Sequence, residues 1–116
     1  MMTSAICVAF TAGLAFTFKP LEGILSEHLR DNSGEILPHL LMADYCRLVE
    51  KTPESHWIKS FLAYLEENFS SQNDPLSELI SVSFIEHLSP GERLPNPVVK
   101  LLGKRMRDEY RRIFSE

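Results

Sequence analysis

Residues 52–69 read TPESHWIKSFLAYLEENF and carry the strongest helical pattern in this 116-residue chain. Trp57, Ile58, Phe61, Leu62, Tyr64, Leu65 and Phe69 share one side of a 3.6-residue repeat, while Lys59, Ala63, Glu66 and Glu67 take the other. A helix with so wide an apolar side needs partners, and the flanking segments supply them in kind. Residues 38–51 form a second helix with Leu41, Met42, Tyr45, Leu48 and Val49 on its apolar face. From 76 to 88, Leu76, Leu79, Ile80, Val82, Phe84, Ile85 and Leu88 spread around the whole circumference, which predicts a helix in the middle of a bundle. Glu86 falls among them, so a partly buried carboxylate is expected, tied to Arg47 or His39.

Proline marks the joints. Pro20, Pro38, Pro53, Pro75 and Pro97 each stand before a helix-periodic segment, where a fixed φ and a missing N–H suit the first turn. Thr52, Asp74 and Asn96 precede three of them as candidate caps. Asp31-Asn32-Ser33-Gly34 and Ser89-Pro90-Gly91 read as turns, and residues 20–30 as a short helix. The start is ambiguous. Ile6, Val8, Phe10, Leu14, Phe16 and Phe18 alternate with small residues, as in a β-hairpin turning near Thr11-Ala12-Gly13. A helix from Thr3 or Ser4 is favoured, because no other segment offers a partner strand and a lone hairpin is marginal. The expected fold is all-α: a single helical domain over residues 1–116, a bundle of about six helices, with the hairpin as the N-terminal alternative.

Composition narrows the function classes. Hydrophobic residues make up 44% and charged residues 24%, values of a chain that buries a core. Cys7 and Cys46 lie far apart among apolar neighbours, with no zinc spacing around them, so buried free thiols in a reducing cytosol are expected. Residues 1–18 carry no charge but lack a basic leader, and they are too short for the roughly 20 apolar residues of a membrane span. A cytoplasmic location follows as an expectation.

Catalytic signatures are missing. No nucleophile elbow, phosphate-binding glycine loop or paired-histidine zinc motif occurs, and five glycines do not cluster. His28, His56 and His87 read as structural, with His28 a cation near a helix C-terminus. Glu35, His39 and Asp44 make a conceivable site, but His39 and Asp44 are five positions apart, about 140° round a helix. No enzyme, metal or cofactor is expected.

Charge is the informative feature. Residues 1–99 hold six basic and thirteen acidic side chains, and residues 100–116 hold six basic and three acidic, within a net charge of −4. On the last helix Lys100, Lys104, Arg107 and Arg111 form one basic ridge, opposite Val98, Val99, Leu102, Met106, Tyr110 and Ile113. The ridge reads as a solvated face, with a phosphate-binding surface as the functional alternative. Acidic residues gather around two turns and read as a solvated surface, with a surface complementary to a basic protein as the functional alternative.

Two stretches carry a likeness. Gly34-Glu35-Ile36-Leu37-Pro38-His39-Leu40-Leu41-Met42-Ala43-Asp44 and Ile80-Ser81-Val82-Ser83-Phe84-Ile85-Glu86-His87-Leu88, with Phe18-Lys19-Pro20-Leu21 and Glu27-His28-Leu29, resemble a largely uncharacterised bacterial family of small all-helical domains. That family includes immunity proteins that neutralise delivered toxins, among them those of contact-dependent growth inhibition. The resemblance implies helix for residues 4–16 and a cognate toxin domain as partner. With the charge pattern it leads to an immunity protein that occludes the active site of a nuclease toxin, with Glu35, Asp44, Glu66, Glu67, Asp74 and Glu78 as contact candidates. The alternative is a nucleic-acid-binding regulatory module using Lys100, Lys104, Arg107 and Arg111.

Overall fold

A computed structural model describes residues 4–70, 74–88 and 96–114. Among them the chain forms seven α-helices and no strand: α1 (Ala5–Thr17), α2 (Glu22–Asp31), α3 (Pro38–Lys51), α4 (Trp57–Glu67), α5 (Pro75–Ser83), α6 (Pro97–Leu101) and α7 (Lys104–Phe114). Short 3₁₀ turns, Lys19–Leu21 and Ile85–His87, precede α2 and follow α5. The favoured N-terminal helix is present, and the alternative hairpin is not formed. In α1 the alternation of large and small residues coexists with a four-residue repeat of interior positions, since Cys7, Thr11, Leu14 and Ala15 are buried. The opposite side of α1 is apolar but open: Ile6 is 56% exposed and Phe16 88%. Among the described residues no single helix is long and apolar enough to cross a membrane.

Three helices frame the core. α5 packs on both α1 and α3, and its Leu79 and Ile80 are fully buried. It ends earlier than its apolar pattern suggests. Phe84 leaves helical geometry (φ −121°, ψ −61°), the 3₁₀ turn follows, and Val82 remains exposed. The break lets Phe84, Ile85 and Leu88 all reach the interior, and it leaves Glu86 exposed rather than buried. Its expected partners are engaged elsewhere, Arg47 with Asp44 and His39 with Ser83. The expected helix count rises from six to seven because the C-terminal segment is also broken, with Leu102 extended (ψ 143°) between α6 and α7.

Phe61 of α4 is the hub of an aromatic cluster. Its ring centroid lies 5.4 Å from Phe18, 5.5 Å from Trp57 and 5.9 Å from Phe84. Tyr64 extends the cluster by stacking on Phe10 at 6.0 Å.

Two of the three proposed caps hold. Asp74 Oδ1 accepts the Ser77 N–H at 2.8 Å, and Asn96 Oδ1 accepts the Val98 N–H at 2.9 Å. Thr52 instead closes α3, its hydroxyl donating to the Leu48 carbonyl at 3.0 Å, and α4 starts five residues later at Trp57. The first predicted turn is present. Ser33 (φ +57°) and Gly34 (φ +83°) both adopt left-handed backbone, and the Gly34 N–H closes onto the Leu29 carbonyl at 2.7 Å. The turn read at Ser89-Pro90-Gly91 lies outside the described residues.

Polar groups in the interior are tied down. The Tyr45 hydroxyl donates to the Thr11 carbonyl at 2.9 Å, joining α3 to α1. Cys7 and Cys46 are free, buried thiols. Burial pushes the Cys46 thiol up from 9.0 to about 12, helped by the charge of Glu50, and burial raises the Tyr45 phenol as well. Both groups hold protons in the folded state that the unfolded chain releases, so both contributions are intact at neutral pH; that of Cys46 fades as pH rises past 9.0 towards 12, and that of Tyr45 only above 10.0. The urea midpoint is therefore expected to drop between about pH 8 and pH 10.5, with a smaller drop in Cys46→Ala. Equal drops in the two proteins would show that Cys46 contributes nothing to the alkaline limit.

Candidate functional site

A cleft of about 560 Å³ opens between α5 and α7, closed at one end by Phe69 and Ser70 just past α4. Its walls follow from sequence in three steps. Asp74 starts α5, which places Ser77, Glu78, Ser81 and Val82 along one wall. The 3₁₀ turn then brings Glu86 to the rim. α7 supplies the facing wall through Arg105, Asp108, Glu109 and Arg112, spaced so that they share one side.

Hydrogen bonds organise both walls. Asp74 is bound by the Ser77 N–H and by the hydroxyls of Ser70 (3.0 Å) and Ser77 (3.2 Å), while the Ser70 N–H donates to Ser77 Oγ at 2.8 Å. These donors, the Ser77 N–H foremost, hold the Asp74 carboxyl below the usual carboxylate range. Across the cleft, Arg112 grips Glu109 with two contacts, Nε to Oε1 at 3.1 Å and Nη2 to Oε2 at 2.6 Å. Ser81 Oγ donates to the same carboxylate at 2.6 Å and so links α5 to α7. Arg112, followed by Ser81, lowers the Glu109 pKa against the opposing effect of burial.

After this pairing the cleft keeps an acidic surplus. Arg105 is spent on Glu66, and Asp108 pairs with Lys104 at 3.0 Å. Glu78 and Glu86 are exposed and make no hydrogen bond or ion pair among the described residues. What the site offers is two exposed carboxylates beside serine hydroxyls, Glu78 with no cation paired to it among the described residues and Glu86 sharing the field of Arg112 with Glu109. That arrangement suits an incoming cation.

The six acidic candidates do not form one patch. Glu78 lines the cleft and Glu67 is exposed in the last turn of α4 nearby. Glu35 is exposed between α2 and α3, and Asp44 pairs with Arg47 on α3. Asp74 and Glu66 serve helix ends. Glu66 Oε2 accepts the Arg105 N–H at 2.8 Å and Oε1 accepts the Met106 N–H at 3.1 Å, so a residue of α4 caps α7. Gly103 makes this possible, because a Cβ there would stand 2.5 Å from Glu66 Cδ.

The basic ridge is not continuous. Lys100 lies on α6, and the other three cations lie beyond the break on α7. Arg107 turns back to donate to the Leu102 carbonyl at 2.8 Å, Lys104 holds Asp108, and Arg111 lies 3.9 Å from Asp108. Phosphate contacts would compete with these engagements.

His39 does not meet Asp44. Its Nδ1 lies 2.5 Å from the hydroxyl of buried Ser83, joining the start of α3 to the end of α5. Among the described residues no group of three or more His, Cys, Asp or Glu side chains converges in a metal-binding arrangement. Of the charged residues lining the cleft, sequence reasoning named only Glu78 as a contact candidate; it read Glu86 as a buried tie and left out Arg105, Asp108, Glu109 and Arg112. The break after Ser83 exposes Glu86, and the pairing of Ser81 with Glu109 spans 28 positions with no local signal.

No curated protein and no solved structure matches the chain. Residues 11–116 match a family described as a domain of unknown function, DUF7674. That match takes in α2 to α7, including both walls of the cleft, and so this all-helical chain belongs to DUF7674.

Proposed function

We propose that the chain acts by binding a protein, as an immunity protein that holds a basic toxin domain, most concretely a nuclease, through the acidic α5/α7 cleft. The observation that carries this reading is the acidic surplus of the cleft, where Glu78 and Glu86 are exposed and neither is held in a hydrogen bond or close ion pair among the described residues. The resemblance of residues 34–44 and 80–88 to a family of small helical domains that includes immunity proteins supports it from the sequence side. A nuclease binds phosphates with cations, so an inhibitor that presents carboxylates gains rapid, oriented association. On this reading the site needs no cofactor and performs no reaction.

Co-expression with a candidate toxin domain from a neighbouring reading frame tests the proposal. Growth is expected to be restored, and the purified complex is expected to weaken as salt rises. The double reversal Glu78→Lys/Glu86→Lys is expected to slow association at least about tenfold while leaving the fold intact. Undiminished toxicity in cells making the wild-type chain would overturn the reading, and an unchanged association rate in the double variant would remove the cleft from it.

A further inference from the structure

We propose that α7 is a hinged arm, which undocks as a unit about Gly103 and opens the α5/α7 cleft while α1, α3 and α5 stay folded. The helix is a poor core element by composition. Of its eleven residues only Met106 is buried, with Tyr110, Ile113 and Phe114 the partly buried apolar ones. Opening it therefore exposes less apolar surface than opening α3, in which seven residues are buried, the condition for local rather than global unfolding.

What holds it is polar and concentrated at a few points. At its N-terminus, Glu66 takes the Arg105 and Met106 amides, and Arg105 returns two contacts, Nε to Glu66 Oε2 at 3.2 Å and Nη2 to the Glu66 carbonyl at 2.8 Å. In the middle, Ser81 holds Glu109. Across the hinge, Arg107 Nη2 reaches the carbonyls of Leu102 and, at 3.3 Å, Lys100, which sets the angle between α6 and α7. α6 itself stays anchored through buried Val98 and Leu102. The chain changes direction at Leu102-Gly103, and Gly103 has room for no side chain while Glu66 is docked. Latch and hinge therefore depend on each other. Because α7 forms one wall of the cleft, its undocking widens the site; that bearing on partner binding rests on the function proposed above, whereas the opening itself does not.

Native-state hydrogen exchange on the free protein tests the arm without any partner. Amides of residues 107–114 are expected to exchange at least about 100-fold faster than those of residues 41–49 in α3, and with a weaker dependence on denaturant. Glu66→Gln keeps one oxygen to accept a backbone N–H but sets an amide donor against the other, and Gly103→Ala displaces the Glu66 carboxylate. Each is expected to speed α7 exchange about tenfold with no matching rise in α3. Coincident exchange of α7 and α3 in the wild-type chain would overturn the arm, as would variants that accelerate both helices equally or neither.

Discussion

Phe61→Ala is expected to lower stability by about 3–5 kcal/mol, a large share of what a domain of this size possesses. The ring is fully buried and meets Phe18 edge-on at an interplanar angle of 89°, with Trp57 and Phe84 also within reach. Truncation removes its transfer free energy and leaves a void that three other rings cannot fill, because each is fixed by its own helix or turn. Edge-to-face contacts add about 0.5–1.5 kcal/mol each beyond buried area, so Phe61→Leu is expected to recover only part of the loss. Urea denaturation followed by Trp57 emission reads both the midpoint and the local environment, since this chain has one tryptophan. A loss under about 1 kcal/mol would mean that the cluster does not organise the core.

The rings of that cluster were legible as apolar positions, and so was the helix that carries half of them. The 3.6-residue repeat of α4 needs nothing beyond its own residues, and Pro38, Pro75 and Pro97 stand at the first positions of α3, α5 and α6 as their fixed φ requires. The breaks were not legible. Nothing between Phe84 and Leu88 is a poor helix former, yet the segment leaves the helix because three large apolar residues must all reach the interior. At Leu102-Gly103 the glycine was visible, but its meaning lies in a carboxylate 37 positions earlier. Tertiary packing overrides local propensity at both places.

The cleft was half-legible for the same reason. Charge count identified an acidic surface, and Glu78 was among its candidates. Counting cannot tell a carboxylate that awaits a partner from one already in use, and Glu66, Asp74 and Asp44 are in use. Glu86 was misassigned in the opposite sense, since a helix continued through residue 86 would have buried it. A functional reading built on unpaired charge thus depends on helix ends more than on composition.

Helix ends also explain His28, whose replacement has the second largest expected effect. Its position near the end of α2 suggests a cation favoured by the helix dipole, but the ring is buried and its Nε2 accepts the Leu37 N–H at 3.0 Å. An accepting Nε2 carries no proton, so the ring is a neutral acceptor. The need for it arises at the start of α3. Leu37 stands at the cap position with an aliphatic side chain, and Pro38 brings no N–H of its own. The Leu37 amide would go unmatched, and His28 meets it from nine positions upstream, steadied by Asn32, whose amide donates to the His28 carbonyl at 2.8 Å. His28→Leu keeps the volume and removes the acceptor, so it is expected to cost about 1–3 kcal/mol for the orphaned amide. His28→Ala adds a cavity and is expected to reach about 3–4 kcal/mol. His28→Gln restores an acceptor on a flexible stem and should recover about 1 kcal/mol relative to leucine. If leucine matches wild type in urea midpoint, the ring serves only to fill space, and the turn from α2 into α3 is held by Gly34 and Pro38 alone.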